Sequence, residues 1–191
     1  QTDFVVFDET DRMLDMGFSI QLEKIAKHLP EQRQSLLFSA TFAPHIMKTA
    51  QTYLNNAVRV SVGSTTAPIA KIKQEIVRTT EAEKYGLLLS QLETQTGTCI
   101  VFVKTKYGTE KLADRLRKNG HAADAIHGDL RQNKRDKVIR GFREKRNRIL
   151  VATDVAARGL DISHIECVVN YDLPQCPEDY IHRIGRTGRA G

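Results

Sequence analysis

Phe4-Val5-Val6-Phe7-Asp8-Glu9-Thr10-Asp11 is the stretch that decides the fold, because an apolar run ends there in three carboxylates within four residues. Four consecutive large apolar residues predict a strand that is buried on both faces, as the strands of parallel sheets are. The carboxylates fall where that strand ends. Open α/β sheets bind ligands outside the carboxyl ends of their strands, so this position favours a ligand site.

The order of these carboxylates is that of a Walker B segment, in which an aspartate holds Mg²⁺ and a neighbouring glutamate orients a water molecule. Such a segment works with a glycine-rich loop that cradles phosphates. The pattern G-x-x-x-x-G-K followed by Ser or Thr occurs nowhere in the chain. The sequence therefore predicts part of a nucleotide site without its phosphate loop.

The composition is that of a globular protein, with 40% hydrophobic and 27% charged residues among 191. No apolar run approaches the length of a membrane span, and no signal peptide is present. Cys99, Cys167 and Cys176 lack metal-binding spacing, and the first two lie in apolar runs, which predicts buried structural thiols. These features predict an intracellular, cytoplasmic protein without membrane attachment, with the nucleus and organelles as open alternatives.

The net charge of +6 is unevenly distributed, since residues 1–72 are neutral and the whole excess lies in residues 73–191. The densest basic stretch is 131–148, which contains nine basic residues and only two acidic ones, Asp136 and Glu144. Charge asymmetry of this kind indicates a polyanionic partner, although a solvated basic helix face gives the same pattern.

Predicted strands and helices alternate along the chain, which favours βαβ units and a parallel sheet. The predicted strands are 4–7, 34–38, 58–62, 72–79, 98–103, 122–126, 148–152 and 167–171. The predicted helices are 18–29, 44–53, 80–92, 107–119, 133–143 and 177–184. Residues 63–68, Gly-Ser-Thr-Thr-Ala-Pro, are the only linker-like stretch. We expect two α/β domains, residues 1–62 and 72–191, joined by a linker at 63–71, with the first domain lacking its N-terminal part.

Polar residues follow the predicted strands repeatedly. They are Asp8 and Glu9, Ser39 and Thr41, Lys104 and Thr105, His127 to Asp129, and Thr153 and Asp154. Loops after strands are polar in any protein, but five such clusters with small residues among them predict two ligand-binding faces.

The segment 182–189, His-Arg-Ile-Gly-Arg-Thr-Gly-Arg, places three arginines at three-residue spacing with two glycines between them. Guanidinium groups bind phosphate oxygens through two parallel hydrogen bonds and stay charged at all physiological pH values. Together with the acidic cluster near residue 8, this segment predicts a phosphate-binding group, against the alternative of a solvated basic tail.

With both ends considered, the chain resembles a DEAD-box ATP-dependent RNA helicase of the second helicase superfamily. The resemblance lies in motif II at 7–18, motif III at 38–41, motif IV at 100–105, the QxxR element at 132–135, motif V at 152–162 and motif VI at 182–189. These motifs span the chain in the family's order. The resemblance implies an α/β fold of two RecA-like parallel-sheet domains, the first present only as its C-terminal part.

Two departures from the family pattern are visible. Thr10 stands where the family name calls for alanine, and we expect little functional loss from it. The Q motif, the phosphate loop of motif I, and motifs Ia and Ib are expected upstream of Gln1. We therefore expect a fragment that neither hydrolyses ATP nor unwinds RNA by itself.

The resemblance also implies roles for individual residues. In the nucleotide site these are Asp8 and Glu9 at Mg²⁺, with Glu9 also acting on the attacking water, Asp161 at the ATP ribose, and Arg186 and Arg189 as arginine fingers. Residues implied to couple the ATP site to the RNA cleft are Asp11, Ser39, Thr41, His182 and Arg183. Residues implied to contact RNA are Thr105, Gly128, Gln132, Arg135, Thr153, Arg158 and Gly159.

The function implied for the full-length parent is RNA-stimulated ATP hydrolysis coupled to local duplex unwinding or remodelling of RNA–protein complexes. Metal and base lie in one domain and the arginines in the other, so hydrolysis is expected to require domain closure around ATP. Contacts to the sugar-phosphate backbone imply little base specificity, and we expect a monomer. Two alternatives stay open: an ATP-gated RNA clamp without productive unwinding, and a DNA helicase or translocase.

Overall fold

The computed structural model describes residues 2–39, 44–61, 72–160, 162 and 164–187, without the side chain of His45. The chain divides into two compact units, residues 1–67 and 68–191. The predicted linker at 63–71 lies outside the described residues, and the predicted domain limits remain a prediction. No helix in the described ranges combines the length and apolarity needed to cross a bilayer.

The described residues of unit 1 form two parallel strands and three helices. The elements are β1 (Phe4–Phe7), α1 (Thr10–Asp15), α2 (Ser19–Ala26), β2 (Gln34–Leu37) and α3 (Pro44–Tyr53). The strands pair in register from Phe4 with Gln34 to Phe7 with Leu37. Phe7 packs against Leu22 of α2 and Tyr53 of α3, and the rings of Phe7 and Tyr53 lie 5.2 Å apart. This small core fixes the carboxyl end of β1.

The prediction that β1 is buried on both faces is wrong. Phe4 is 64% exposed and Val6 56% exposed, whereas Val5 and Phe7 contribute to the core. The physical reason is that helices α1 to α3 supply core residues to only one face of the two-stranded sheet. Leu36 and Phe38 are also exposed, which extends the apolar surface.

Unit 2 contains a four-stranded parallel sheet in the order β4-β5-β3-β6. The strands are β3 (Cys99–Phe102), β4 (Ala123–Ile126), β5 (Ile149–Ala152) and β6 (Cys167–Asn170). The helices are α4 (Lys84–Thr94), α5 (Lys106–Lys118), α6 (Gln132–Arg143), α7 (Asp154–Ala157) and α8 (Pro177–Ile184). The parallel α/β class predicted from the sequence is confirmed.

The central strands β3 and β5 are buried along their whole length, because both faces of the sheet are covered. Cys99 and Val101 face one core, which includes residues of α4 and α5. Ile100 and Phe102 face the other core, to which α6 and α7 contribute. This alternation explains why their segments read as continuous apolar runs in the sequence.

Several predicted elements differ from the structure. Described residues 58–61 and 72–79 form no strand, and Val58 and Ile76 are 88% and 95% exposed. Within the described part of the chain, neither segment has a neighbouring strand to pair with. The short helices α1 and α7 were not predicted, since six and four residues are too few to show helical periodicity.

Local sequence signals set several helix ends. Thr105 is the N-cap of α5, and its hydroxyl accepts a hydrogen bond from the backbone N–H of Gly108 at 3.0 Å. Gly120 follows the same helix with a φ of 81°, a conformation that glycine adopts readily at this position. The carboxylate of Glu83 accepts hydrogen bonds from the backbone N–H of Thr80 at 3.4 Å and from its hydroxyl at 2.8 Å, in a turn that precedes α4.

The C-terminal end of α4 is closed by Arg148, which directly precedes β5. Its guanidinium donates hydrogen bonds to the carbonyl of Leu92 at 3.0 Å and to the carbonyls of Gln95 and Gly97. Carbonyls at a helix end have no partner within the helix, so they need donors from elsewhere. A residue remote in sequence supplies them here.

Cys99 and Cys167 lie directly opposite each other on β3 and β6. Cys99 is completely buried, as predicted, and Cys167 is half-buried. The neighbouring Cys99 thiol stabilises the thiolate of Cys167 and lowers its pKa to about 7, and the same pair interaction, together with burial, raises the pKa of Cys99 well above its usual value.

We expect iodoacetamide to alkylate Cys167 with a midpoint near pH 7 and to leave Cys99 unmodified while the chain is folded, because only thiolates react. Timed labelling followed by peptide mass spectrometry measures both sites. Cys99→Ala removes the donor and should move the midpoint towards the ordinary value of 9.0. Cys176, whose pKa burial raises, serves as an internal comparison. A wild-type midpoint near that of Cys176 would contradict the prediction.

Candidate functional site

The carboxylates that follow β1 adopt a specific backbone geometry. Asp8 is exposed, and its Oδ1 accepts a hydrogen bond from the backbone N–H of Glu9 at 2.9 Å. Glu9 has φ 50° and ψ 44°, the left-handed conformation, which is uncommon for a residue other than glycine. Unfavourable backbone conformations concentrate at functional sites, so this outlier supports a role for Glu9.

Two predicted coupling residues are joined in unit 1. The backbone N–H of Asp11 donates to the hydroxyl of Ser39 at 3.2 Å, and the N–H of Thr10 donates to the carbonyl of Phe38 at 3.1 Å. The segment after β1 is thereby fastened to the segment after β2. Thr41 lies outside the described residues.

Thr10, the departure from the family pattern, is 1% exposed, and its hydroxyl donates to the carbonyl of Phe7 at 3.4 Å. A buried hydroxyl costs stability when it has no partner. Here the threonine is accommodated by a local hydrogen bond, and its side chain is turned away from solvent.

The donors after β1 fit Mg²⁺ of the kind held in nucleotide sites. Mg²⁺ prefers carboxylate oxygens and is usually bound by one or two of them together with water and substrate phosphates. Among the described residues no group of three or more His, Cys, Asp or Glu could hold a metal alone. Asp8 and Glu9, adjacent at the end of β1, match the smaller donor set.

Unit 2 gathers five predicted RNA-contacting residues at the carboxyl ends of its strands. Thr105 follows β3, Gly128 follows β4, Thr153 follows β5, and Gln132 and Arg135 lie in the first turn of α6. Strand order places β3, β5 and β4 side by side, so these ends share one edge of the sheet.

These side chains are held by local contacts. Arg135 donates to the carbonyl of Ala156 at 2.9 Å, and Gln132 donates to Asp136 at 2.8 Å. Gly128 is exposed, and a Cβ built on it would meet nothing within 4 Å. Gly159 has a φ of 64°, which glycine adopts without strain. The edge therefore combines fixed polar groups with backbone that a ligand can approach.

A junction beside this edge links three elements through Glu110 of α5. Its Oε1 lies 2.9 Å from Nε2 of His127, the residue that follows β4, and 3.6 Å from Nζ of Lys134 in α6. The hydrogen bond from His127 lowers the pKa of Glu110. Lys106 and Asp129 form a further ion pair at 2.5 Å.

A small depression, with room for about 10 Å³, brings together residues of motifs V and VI. It is lined by Phe102, Asp154, Ala157, Arg158, Asp179, His182, Arg183 and Arg186. Arg158 faces the buried Asp179 across 3.6 Å. Four residues predicted from the sequence to be functional thus meet at the carboxyl ends of β3 and β5.

Arg183 is the most buried charged residue of this depression, with 2% of its surface exposed. Its Nε and Nη2 donate to the two carboxylate oxygens of Asp154 at 2.6 and 2.8 Å. Its Nη1 donates to Oδ1 of Asn170 at 2.9 Å and to the carbonyl of Asp172 at 2.6 Å. The guanidinium also lies over the ring of Phe102. All these contacts are within unit 2, so its predicted coupling role remains a prediction.

Arg186, a predicted arginine finger, is 9% exposed in this structure. Its Nη1 donates to the carbonyl of Leu160 at 3.2 Å, and its Nε donates to the carbonyl of His182 at 3.4 Å. His182 is half-buried beside it. Asp161 and Arg189 lie outside the described residues, so their predicted roles stay predictions.

Four residues of these clusters were not identified as site residues from the sequence. They are Glu110, His127, Asp154 and Asp179. His127 directly follows β4 and Asp154 lies two residues after β5, and both belong to the polar clusters that the sequence shows after strands. Glu110 and Asp179 lie on helices, where an acidic residue is usually solvated, and only their spatial partners distinguish them.

Two family models match this chain, one within each of its two units. The DEAD/DEAH box helicase family model matches residues 1–50, and the helicase conserved C-terminal domain model matches residues 83–191. The DEAD-box ATP-dependent RNA helicase CshA of Geobacillus kaustophilus is 48% identical over 98% of this chain and 40% of its own length. The DEAD-box ATP-dependent RNA helicase 30 of Arabidopsis thaliana is 46% identical over 98% of this chain and 32% of its length. The chain therefore spans less than half of these relatives.

Among solved structures, S. cerevisiae Dbp5 bound to RNA and ADP BeF3 matches 99% of this chain and 51% of its own, with a TM-score of 0.88 and 38% identity. A DEAD box protein from the hyperthermophile Methanococcus jannaschii matches with a TM-score of 0.61 and 44% identity, over 98% of this chain and 51% of its own. These likenesses confirm the RecA-like α/β fold. The C-terminal family model alone spans more than half of the chain, and the N-terminal one covers the Asp8–Asp11 segment, so the chain belongs to the family of DEAD-box RNA helicases.

Proposed function

We propose that the parent protein, meaning the complete product of the gene that encodes this chain, is an ATP-dependent RNA helicase. It hydrolyses ATP when RNA is bound and uses the cycle to unwind short duplexes locally or to remodel RNA–protein complexes. The observation that carries this proposal is the edge of unit 2, where Thr105, Gly128, Thr153 and the first turn of α6 meet. Support comes from a relative whose solved structure contains RNA and a nucleotide analogue.

The proposal assigns the nucleotide-binding roles to five residues. Asp8, with Glu9 beside it, would hold Mg²⁺, which neutralises charge on the phosphates when bound. Glu9 orients the attacking water and accepts its proton. Its left-handed backbone conformation supports this role. Asp161 binds the ribose, and Arg186 and Arg189 bind the γ-phosphate.

Arg186 must leave its contact with the Leu160 carbonyl to reach a phosphate, because that contact faces the interior of unit 2. The hydrogen bond between Asp11 and Ser39 transmits changes at the nucleotide to the segment after β2, as motif III coupling requires. The residues proposed to bind RNA mainly contact phosphates and 2′-hydroxyls, so recognition depends little on base sequence.

The 191-residue chain contains no phosphate loop, and we propose that by itself it does not hydrolyse ATP. We further propose a monomeric, cytoplasmic protein. The unpaired cysteines among the described residues support a reducing compartment.

The proposal predicts that single-stranded RNA stimulates ATP hydrolysis by the parent protein and that DNA of the same sequence does not. Steady-state ATPase assays with each polymer measure this, and strand displacement of a short duplex tests unwinding. Equal stimulation by DNA would identify a DNA helicase or translocase. Stimulated ATPase without strand displacement would identify a clamp.

The substitution Gly128→Ala tests one of the proposed RNA contacts directly. The new methyl group meets nothing within 4 Å in the free protein, so stability is retained, but it stands where RNA phosphate is proposed to approach the backbone. We expect RNA affinity to fall about 10–100-fold, the value of one or two hydrogen bonds to a charged group. Gly86→Ala on α4, which is equally free of contacts, is the matched control and should bind RNA normally. Unchanged binding by Gly128→Ala would remove this glycine from the interface.

A further inference from the structure

The junction at Glu110 connects three of the segments that carry the proposed RNA contacts, those at Thr105, Gly128 and Arg135. Glu110 lies five residues after Thr105 on the rigid helix α5. His127, at 2.9 Å, directly precedes Gly128, and Lys134, at 3.6 Å, directly precedes Arg135. One carboxylate oxygen therefore lies within reach of side chains from the loop after β4 and from the start of α6.

Burial distinguishes the two links between α5 and the loop after β4. Lys106 and Asp129 are more than half exposed, and exposed ion pairs contribute little. The His127 side chain is 9% exposed, so its hydrogen bond to Glu110 is protected from competing water. The buried link is the one that can fix the distance between Thr105 and Gly128.

The direction of this hydrogen bond follows from the chemistry of its partners. An ionised carboxylate can only accept, so Nε2 of His127 carries the hydrogen. Nδ1 is buried and has no hydrogen-bond partner among the described residues. Within the described part of the chain, Glu110 is therefore the group that orients the imidazole ring.

We propose that His127 and Glu110 are positioning residues for RNA binding, which hold Gly128 and the first turn of α6 at a fixed spacing from Thr105. This inference rests on the proposed function, since it assumes that these three segments contact the same RNA strand. Neither residue needs to touch RNA. Without their hydrogen bond the loop after β4 moves independently of α5, and a strand can no longer meet all segments at once.

Two substitutions at position 127 test the proposal through geometry. The amide nitrogen of His127→Gln can reach the place of Nε2 and donate to Glu110, whereas the shorter His127→Asn cannot. We expect the parent protein with His127→Asn to bind fluorescein-labelled oligouridine about tenfold more weakly by anisotropy, and His127→Gln to restore most of this loss. The RNA concentration for half-maximal ATPase stimulation should shift in parallel, with the maximal rate unchanged.

Glu110→Gln tests the same hydrogen bond from its acceptor side. Because Glu110 is 37% exposed, this substitution leaves the fold intact. It gives His127 a neutral acceptor in place of a charged one, which weakens their hydrogen bond, and it loses the charge that attracts Lys134, so a several-fold loss is expected. Because both substitutions disturb the same hydrogen bond, Glu110→Gln combined with His127→Asn should lose less affinity than the two single losses together. Glu93→Gln on the exposed face of α4 is the control and should bind as wild type. Equal affinity of His127→Asn and wild type, or equal losses in His127→Asn and His127→Gln, would overturn the proposal. A wild-type protein that binds no RNA would instead overturn the proposed function.

Discussion

Arg183→Ala should lower the free energy of unfolding of unit 2 by about 3–5 kcal/mol, the usual cost of breaking a buried ion pair from one side. The substitution removes four hydrogen bonds and leaves the carboxylate of Asp154, which is 22% exposed, without its bidentate partner. It also opens a space over the ring of Phe102. Urea denaturation of the chain followed by circular dichroism measures the effect.

Three further variants separate the causes of this loss. Arg183→Lys keeps the charge but not the planar fork, so it should lose most of the same stability. Arg183→Met combined with Asp154→Asn should lose less than the two single substitutions together, because no buried charge is left unpaired. Arg140→Ala, on the exposed side of α6, should stay within about 0.5 kcal/mol of wild type. A loss below about 1 kcal/mol for Arg183→Ala would show that Asp154 finds another partner.

Glu9→Gln in the parent protein should reduce the turnover number for ATP by about 10²–10⁴-fold, the range for removal of a general base. Glutamine has nearly the same size and preserves the hydrogen bond that the Glu9 backbone N–H makes with Asp8. Binding of ATP and RNA should therefore persist while hydrolysis is lost. Steady-state ATPase assays with saturating RNA give the rate, and equilibrium binding of a fluorescent nucleotide gives the affinity.

Glu31→Gln, in an exposed loop of unit 1, is the matched control for this loss of one carboxylate and should leave turnover unchanged. If Glu9→Gln reduced the turnover number only slightly, the general base would be a different residue. A parallel loss of nucleotide affinity would assign Glu9 to binding of the metal and phosphates rather than to the water.

Much of the fold was predictable because its signals are local. The apolar runs of β3 and β5 and the start and end of α8 agree with the sequence pattern. The exposure of Phe4 and Val6 was not predictable, since the burial of a strand depends on what packs against it as well as on its own residues. Residues 72–79 fail as a strand for the same reason.

Some residues of the candidate site could be predicted from the sequence, and others could not. Motif positions such as Asp8 and Gly128 could be found from short patterns at strand ends. The burial of Arg183 could not be predicted, because a charged residue on a helix is assigned to the surface unless its partner is known. That partner, Asp154, is 29 residues away in α7, and the third group in contact, Asn170, is at the end of β6.

The position of Arg148 has a consequence for the order in which unit 2 assembles. Helix α4 is the first helix of unit 2, yet the donor for its Leu92 carbonyl, and for the Gln95 and Gly97 carbonyls just beyond it, is a residue more than 50 positions later. During synthesis these carbonyls leave the ribosome before Arg148 does, and they gain this donor only when β5 has joined the sheet. Completion of α4 is thus a late, non-local event, which makes the folding of unit 2 cooperative from its first helix to its central strand.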